Sequence, residues 1–335
     1  MRLSIIIPYF NADAWIGAML DSLLDQDIPQ DEYEIIIVDD DSSEPAVTLQ
    51  DYVSKHPHIK YHRIGHAGPS GARNYGIKVS TGEWVYFCDS DDLVQRHVFR
   101  NLLDIADDRK LEMLIFDFVL LEEGMTVDNP IHEFTSVSET MNMWDHLATY
   151  ISNPMSFGFG LWRFIVRKRV LEQHSISFAD LIYVEDRIFQ LQLIPVVERV
   201  AHVDVQAYFY IQRGGSIMHS KKKRNYTQYA PWLWTYLSNL SEMIQTPGIP
   251  EGARQVLICW RDTGVFSLLH HCLRYCPYAV SDLYLDKLSS SDAYPLEIRE
   301  TGYIRLTRRL MNHPGLWRLL CRLYCLIPYR IRLLL

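Results

Sequence analysis

The first 120 residues alternate short apolar runs with segments of helical periodicity, and this alternation limits the fold more than any other feature of the sequence. Apolar runs at 3–7 (interrupted only by Ser4), 35–38 and 84–88 are typical of strands buried on both faces of a sheet. Segments such as 14–24 and 70–79 lie between them and have the length and periodicity of amphipathic helices. The pattern predicts an α/β fold with a Rossmann-like, mostly parallel sheet flanked by helices. Ligands of such sheets bind at the carboxyl ends of the strands.

Two acidic runs stand at predicted strand ends. Residues 89–92 (DSDD) directly follow the strand that ends at Cys88, and residues 39–41 (DDD) follow the second strand. Neighbouring carboxylates repel one another, so two such runs at one sheet edge imply a cation and a polar ligand. Asp89 and Asp91 are two residues apart and can both reach one Mg²⁺ or Mn²⁺ that bridges to a phosphate.

Helix capping is the alternative explanation for both acidic runs. Asp and Ser are good N-cap residues. The run at 89–92 would then cap a helix that starts near Val94, and Asp41 or Ser42 would cap the helix that follows Pro45.

Two further segments carry candidate chemistry. Small residues at 68–76 (GPSGARNYG) allow a ligand to approach the backbone closely, and Arg73 within them can pair with a phosphate or an aspartate. The segment lacks the spacing of a P-loop and does not follow the first strand as a dinucleotide fingerprint does. Glu185 and Asp186 open another predicted helix, where acids are also common because of the helix dipole.

Four blocks, in this order and spacing, resemble the family 2 glycosyltransferases, which have the GT-A fold. The blocks are residues 4–11 (SIIIPYFN), 38–42 (VDDDS), 68–76 (GPSGARNYG) and 87–92 (FCDSDD). The resemblance continues more loosely through 184–187 (VEDR) and 208–216 (YFYIQRGGS). It implies an inverting transfer of a hexose or N-acetylhexosamine from a UDP-sugar, with Mn²⁺ or Mg²⁺ as cofactor.

The resemblance also implies roles for individual residues. Nine of them would contact the nucleotide-sugar: Pro8, Tyr9, Asp39, Asp40, Arg73, Asp89, Ser90, Arg213 and Ser216. Asp91, with Asp89, would hold the metal, and Asp186, beside Glu185, would be the general base. A carboxylate in that position takes the proton of an acceptor hydroxyl, which is a poor nucleophile.

The acceptor is expected to be a saccharide, lipid-linked or free, in capsule, exopolysaccharide or O-antigen synthesis. The acceptor candidates are Trp162 and Arg163, because the family commonly has a lysine near position 163. An arginine there can still bind an acceptor phosphate. The family often has Asn where His66 stands, which affects a nucleotide-side contact.

Charge is distributed unevenly along the chain. The formal charge is −8, yet residues 301–335 carry seven arginines and no acidic residue, so the first 300 residues sum to −15. An acidic body argues against a nucleic-acid partner, whereas a basic, apolar tail is typical of contact with an anionic membrane surface. The residues expected at the membrane are Arg305, Arg308, Arg309, Trp317, Arg318 and Arg322. The alternative is a helix pair packed on the body or at a homodimer interface.

These observations suggest three segments and a compartment. We predict a GT-A domain at 1–220, a C-terminal helical extension at 221–300 and a membrane-associating tail at 301–335. No signal peptide or transmembrane run is recognisable, so the expected location is the cytoplasm, peripheral on the cytoplasmic face of the membrane. Six sparse cysteines are expected to be reduced there, and His270, His271, Cys272 and Cys276 match no common zinc spacing.

Two other classes of function fit parts of the sequence. The first is a non-catalytic nucleotide-sugar or glycan-binding protein on the same fold, against which Asp89, Asp91 and Asp186 speak. The second is a phosphoryl-receiving domain, suggested by the acidic run at 39–41. That class needs a Lys and a Ser or Thr at later strand ends, where this chain has a second acidic run instead.

Overall fold

The protein divides into two structural units. The computed structural model describes residues 1–124, 134, 136–158, 160–181, 183–213, 226–296 and 302–326. The first unit comprises Met1–His146 and Phe159–Ser220, and the second comprises Leu147–Gly158 and Lys221–Leu335. We call them the sheet unit and the helical unit. The helical unit thus includes the short stretch 147–158 as well as the C-terminal part of the chain.

The sheet unit contains eight strands. They are β1 (Leu3–Tyr9), β2 (Tyr33–Asp39), β3 (Ile59–Arg63), β4 (Trp84–Phe87), β5 (Leu93–Val94), β6 (Met113–Glu122), β7 (Phe164–Arg167) and β8 (Val200–Gln212). The helices between them are α1 (Asp13–Leu24), α2 (Val47–Lys55), α3 (Gly68–Val79), α4 (Phe99–Asp108), α5 (Met143–Ala148, shared with the helical unit), α6 (Lys168–Gln173) and α7 (Glu185–Leu193). A 3₁₀ turn, Leu161–Arg163, precedes β7.

All eight strands form one mixed sheet in the order β3-β2-β1-β4-β7-β6-β8-β5. The strands β1 to β4 are parallel to one another, whereas β7 and β5 run antiparallel to their neighbours. Apolar side chains on both faces of β1 and β2 are buried, which is why these strands read as continuous apolar runs. The fold is therefore an α/β GT-A fold, as predicted, with two antiparallel strands in its sheet.

Strand β8 is continuous through two register shifts, because its extra residues bulge opposite Asp117 of β6. One local prediction differs from the structure. Helix α4 begins at Phe99 and not near Val94, because Leu93 and Val94 pair with Phe209 and Tyr208 of β8. Tertiary pairing overrides the local helical pattern at that point.

The helical unit is built from long helices around a separate core. They are α8 (Tyr226–Ile244), α9 (Glu251–Tyr275), α10 (Tyr278–Ser289), α11 (Gly302–Met311) and α12 (Pro314–Cys325). The 3₁₀ turns Thr149–Ser152 and Pro154–Phe157 belong to this unit, and the Trp260 indole of α9 donates to the Pro154 carbonyl. Within the described part of the chain, no helix is long and apolar enough to cross a membrane.

The basic tail packs extensively within this unit. Trp317 is buried, and Arg308 is only 4% exposed, with its guanidinium near Thr263 and over the ring of Phe266. Arg318 pairs with Asp282 and Asp286 of α10. These residues face the unit's own helices, as the packing alternative expects.

The three other tail residues expected at the membrane are Arg305, Arg309 and Arg322. Arg309 and Arg322 are exposed, and Arg322 donates to the Tyr278 hydroxyl at 2.8 Å. Arg305 lies in α11, and its side chain is outside the described residues.

Candidate active site

The first acidic run lies at the carboxyl ends of β1 and β2, where it organises the loop into α3. Asp39 accepts hydrogen bonds from the Ser42 amide at 2.8 Å and the Tyr61 hydroxyl at 2.6 Å. Asp40 is buried and accepts from the amides of Ala67 and Gly68, which begin the segment 68–76. The run therefore ties the second strand to the glycine-rich segment.

Helix capping by this run, the alternative considered above, is wrong. Helix α2 begins at Val47 and has no side-chain cap from Asp41 or Ser42. Asp13 of α1 accepts from the Thr48 and Leu49 amides instead, at 3.0 and 3.1 Å. Acceptor oxygens at a helix N-terminus can come from a distant helix, which a local pattern does not reveal.

The residues at the end of β1 differ in burial. The Tyr9 side chain is buried in the hydrophobic core, and Pro8 is half-buried. Phe10 is 50% exposed, and its ring lies 5.4 Å from that of His66. His66 in turn contacts the Asp40 carboxylate at 3.0 Å. Phe10 was not singled out in the sequence, although its place after a strand end and beside the acidic run was a usable signal.

Arg73 joins the second acidic run to the Glu-Asp pair. Its guanidinium lies 3.0 Å from Asp89 and 3.1 Å from Glu185, which is 112 residues away in sequence. The side chain is only 8% exposed and stands over the ring of Phe178. A buried arginine between two carboxylates fixes the spacing of both.

The second acidic run lies directly after β4, as predicted. Asp91 pairs with Arg213, whose guanidinium also contacts the Asp91 carbonyl oxygen. Arg213 further lies over the Trp15 ring. Burial and the nearby Asp89 charge raise the pKa of the Asp91 carboxyl.

Asp92 holds this loop against β8. It is buried and accepts from the Tyr208 hydroxyl and the Ile211 amide, each at 2.8 Å. Burial and the Asp89 charge raise its pKa to about 8. The loop does not cap α4, because the Gln26 side chain accepts from the first amides of that helix. The capping explanation is therefore wrong for this run as well.

The second run has the donor set for a divalent ion shared with a diphosphate. Asp89 and Asp91 each remain more than a third exposed. Among the residues that the structure describes, no group of three or more His, Cys, Asp or Glu side chains is arranged to hold a metal. Magnesium and manganese are often held by one or two carboxylates, with phosphate and water filling the other positions. Asp89 and Asp91 therefore fit such an ion.

Glu185 and Asp186 form the first turn of α7, behind Arg73. Val184 before them has φ 61°, a left-handed conformation that a β-branched residue rarely adopts. Burial raises the pKa of Glu185 to about 7, although Arg73 opposes the shift. Burial also raises the pKa of Asp186, one of whose oxygens accepts from the Arg187 amide. Strained backbone and raised carboxyl pKa values are features of functional sites.

An aromatic group stands next to the second acidic run. The Trp162 ring stacks on Tyr208 with centroids 4.8 Å apart and also contacts Tyr210 and Phe118. The Tyr208 hydroxyl accepts from the Asp89 amide, so the group is bonded to the acidic loop. Trp162 therefore lies within the same cluster as Asp89.

An acceptor contact requires an accessible side chain, whereas the side chain of Arg163 is turned away from solvent. It is buried, and its guanidinium lies 3.5 Å from Asp117 of β6 and over the Phe118 ring. Asp117 also contacts His202 at 3.1 Å. Asp117 was missed in the sequence, although a single carboxylate inside the apolar run 113–121 was a signal. Ser90 is half-buried in the acidic loop, and Ser216 lies outside the described residues.

Comparisons with known proteins concern the family and the fold of the chain. The profile of Glycosyl transferase family 2 matches residues 4–171. The uncharacterized glycosyltransferase EpsJ of Bacillus subtilis is 29% identical over 217 residues, which are 64% of this chain and 62% of EpsJ. The poly(ribitol-phosphate) β-N-acetylglucosaminyltransferase TarS of Staphylococcus aureus is 25% identical over 66% of this chain and 37% of its own length. The chain thus spans less than two thirds of either relative.

The fold has a close counterpart among solved structures. Residues 1–349 of S. aureus TarS, crystallised in complex with UDP-GlcNAc, superimpose with a TM-score of 0.65 at 19% identity. The match covers 97% of this chain and 91% of that one.

Proposed function

The chain belongs to glycosyl transferase family 2, and we propose that it is an inverting, metal-dependent glycosyltransferase that uses a UDP-sugar donor. One observation carries the proposal. Arg73 brings Asp89 of the acidic loop and Glu185 of the Glu-Asp pair within 3.1 Å of one guanidinium, so the donor side and the acceptor side of a transfer site meet there. The solved TarS complexes with UDP-GlcNAc and UDP support a UDP-linked donor.

The nucleotide is proposed to lie along the first acidic run. Pro8 is half-buried there, Asp39 and Asp40 are buried with their carboxylates bonded to neighbouring loop groups, and the exposed Phe10 beside His66 offers a ring for the base. Tyr9 would act from the core by supporting this surface. Carboxylates there suit ribose hydroxyls and base N–H groups.

The diphosphate is proposed to lie between the acidic loop and Arg213. Mn²⁺ or Mg²⁺ held by Asp89 and Asp91 would neutralise the charge of the leaving diphosphate. Arg213 is already directed at Asp91, and its guanidinium can exchange that carboxylate for phosphate oxygens. Ser216, which follows it in sequence, is a further candidate for this contact.

Asp186 is proposed as the general base and Glu185 as its support. Glu185 is held by Arg73, whereas Asp186 accepts a hydrogen bond from the Arg187 amide through one carboxylate oxygen. Burial raises its pKa, which makes the carboxylate a better proton acceptor for a sugar hydroxyl.

The acceptor is proposed to be a saccharide, lipid-linked or free, in the synthesis of a cell-surface polymer. Trp162 offers an aromatic surface next to Asp89, and Arg163 would act by holding Asp117 and the Phe118 ring in place. Two relatives are named for surface polymers: TarS, and the minor teichoic acid biosynthesis protein GgaB of B. subtilis. Both names support this class of acceptor.

Attachment to the cytoplasmic face of the membrane is a separate proposal. Exposed leucines on one side of α12 and at its C-terminal cap could enter the lipid interface: Leu316, Leu319, Leu323 and Leu326. Arg309 and Arg322 are exposed as well and could meet anionic headgroups. The leucines, and not the buried Trp317, would then supply the apolar contact.

Vesicle sedimentation tests the membrane proposal. The variant Leu319→Glu/Leu323→Glu should stay in the supernatant of phosphatidylglycerol vesicles that pellet the wild type. The matched control is Leu283→Glu, which changes an exposed leucine of α10. Equal pelleting of all three proteins would refute membrane contact through α12.

Turnover of UDP-sugars tests the proposed reaction. Release of UDP should require Mn²⁺ or Mg²⁺ and should fall by at least a hundredfold in Asp186→Asn, the scale of a lost general base. Asp91→Ala should lower it as well, whereas the surface control Asp51→Ala should not. Wild-type transfer in both site variants would refute the assignment. UDP binding without transfer to any acceptor would instead favour a nucleotide-sugar-binding protein.

A further inference from the structure

Each of the two carboxylates assigned to the divalent ion is paired with an arginine. The Arg73 guanidinium lies 3.0 Å from Asp89, and the Arg213 guanidinium lies 3.0 Å from Asp91. Both carboxylates keep an accessible side, from which an ion can reach them. An ion bound to Asp89 and Asp91 therefore meets two fixed positive charges, and the strength of its binding depends on whether these arginines stay in place.

Arg73 is held in place on two sides. It lies within α3 and is buried, and its guanidinium also contacts Glu185 at 3.1 Å and stands over the Phe178 ring. Glu185 therefore shares the charge of Arg73 with Asp89. Arg73 can keep its position when an ion binds to Asp89, because its second carboxylate partner remains.

Arg213 is held only by its head group. Strand β8 and its pairing with β6 end at Gln212, so Arg213 is the first residue beyond the strand. Its guanidinium contacts the carboxylate and the carbonyl oxygen of Asp91 and lies over the Trp15 ring, 5.4 Å from the ring centroid. The other carboxylate nearby, that of Glu123, is exposed and 3.7 Å away, too far for a hydrogen bond. Arg213 can therefore exchange Asp91 for another anion without disturbing the sheet.

A guanidinium and a divalent ion cannot share Asp91 without a cost in free energy. The carboxylate supplies one negative charge, whereas the two cations bring three positive charges, which repel one another at such short range. The ion then either binds beside Arg213 against this repulsion or displaces Arg213 and breaks an ion pair. A diphosphate removes the conflict, because its oxygens bind both cations and supply the missing negative charge.

We propose that Arg213 competes with the divalent ion for Asp91 and that the diphosphate of the donor ends this competition by binding the guanidinium. The inference rests on the proposed function, since it requires an ion and a diphosphate at the acidic loop. Arg213 thereby makes the ion and the nucleotide bind together. The ion alone binds weakly, and each of the two ligands strengthens the binding of the other by the same factor.

Binding of Mn²⁺ alone tests the proposal without any turnover. Electron paramagnetic resonance measures the free Mn²⁺ in a titration of the full chain. Arg213→Gln should bind Mn²⁺ alone at least about tenfold more tightly than the wild type, because Asp91 loses its internal counter-charge. The factor by which UDP strengthens Mn²⁺ binding should fall at least about tenfold in this variant, since the diphosphate loses its arginine as well.

The matched control is Arg96→Gln, which also removes one positive charge. Arg96 is exposed, follows the acidic loop in sequence and pairs with Asp25 at 3.3 Å. Salt screens an exposed charge, so this variant should bind Mn²⁺ alone as the wild type does at about 0.15 M salt. An equal gain in both variants would reveal a general charge effect and would overturn the proposal.

The remaining outcomes separate this inference from the proposed function. Equal affinity of Arg213→Gln and the wild type for Mn²⁺ alone would overturn the competition, whereas metal-dependent release of UDP would still support the transfer reaction. A wild type that binds no Mn²⁺, with or without UDP, would refute the ion site and the competition together.

Discussion

Replacing Arg73 by methionine will reveal how strongly the candidate site depends on one buried guanidinium. Arg73 is 8% exposed and pairs with Glu185, which is 13% exposed, and with the more accessible Asp89. Removing one partner of a buried ion pair typically costs about 3–5 kcal/mol because the other charge is left unpaired. Since Asp89 can be solvated, we expect Arg73→Met to lower the free energy of unfolding by about 3 kcal/mol at pH 8.

The loss should depend on pH in a direction that the structure fixes. The pKa of Glu185 is raised to about 7 in the folded protein, above its ordinary value of 4.5. The carboxyl therefore favours the folded state below pH 4.5, and this contribution is lost as the pH rises through 7. Without Arg73 the pKa of Glu185 rises further, so protonation relieves the unpaired charge at low pH. The loss of stability should shrink to about 1 kcal/mol at pH 5.5.

Urea unfolding followed by tryptophan fluorescence measures the loss of unfolding free energy at both pH values. The double variant Arg73→Met/Glu185→Gln should recover about 2 kcal/mol at pH 8, since it removes the stranded charge. The matched control is Arg63→Met, which changes an exposed arginine paired with Asp41 and should leave the free energy of unfolding almost unchanged. A loss that is independent of pH, together with no recovery in the double variant, would refute the reasoning.

Three further predictions follow from the same structure. Transfer activity, measured as kcat/KM with saturating metal, should rise with pH up to about 7 because the pKa of Glu185 is about 7 and that of Asp186 is raised; a flat profile from pH 5.5 to 8 would contradict this. The Glu34 carboxylate accepts hydrogen bonds from Ser4, Thr81 and Lys60. Desolvation by burial raises the pKa of Glu34, but these bonds outweigh it and lower the pKa to about 2. The wild type should therefore lose about 3 kcal/mol of stability as the pH falls from 4.5 to 2, and Glu34→Gln should lose much less in urea titrations over that range. Trp317→Ala should cost about 3–5 kcal/mol because its ring is buried, and exposed Leu323→Ala less than about 0.5 kcal/mol, in the same assay.

Much of the sheet unit is readable from the sequence because its information is local. Apolar runs mark β1, β2 and β4, and the acidic residues that follow β2 and β4 stand at one sheet edge as the topology of parallel strands requires. The helix predicted to open at Glu185 begins there in the structure.

The contacts that build the candidate site are not readable in the same way. The pairing of Arg73 with Glu185 joins residues 112 positions apart, and nothing in either segment encodes the other. The caps of α2 and α4 come from Asp13 and Gln26, which lie on other elements. Local capping rules therefore predict that the acidic runs cap these two helices, whereas in the structure side chains from other elements cap them.

Periodicity also leaves the direction of an amphipathic helix open. In α12 the arginines, leucines and Trp317 alternate such that either side could face a partner. The structure turns Trp317 inward and pairs Arg318 with Asp282, which a helical wheel alone does not reveal. The buried side of α12 carries Trp317 and Cys321, and only the fold brings Asp282 and Asp286 beside Arg318.

Titration calorimetry of UDP, with and without Mn²⁺, tests the central claim most directly. If Asp89 and Asp91 share a divalent ion with the diphosphate, omission of Mn²⁺ should weaken UDP binding to the wild type at least about tenfold, or about 1.4 kcal/mol. Asp91→Asn should bind UDP weakly and with no response to the metal. Binding of equal strength in all four combinations, or no binding of UDP at all, would contradict the account.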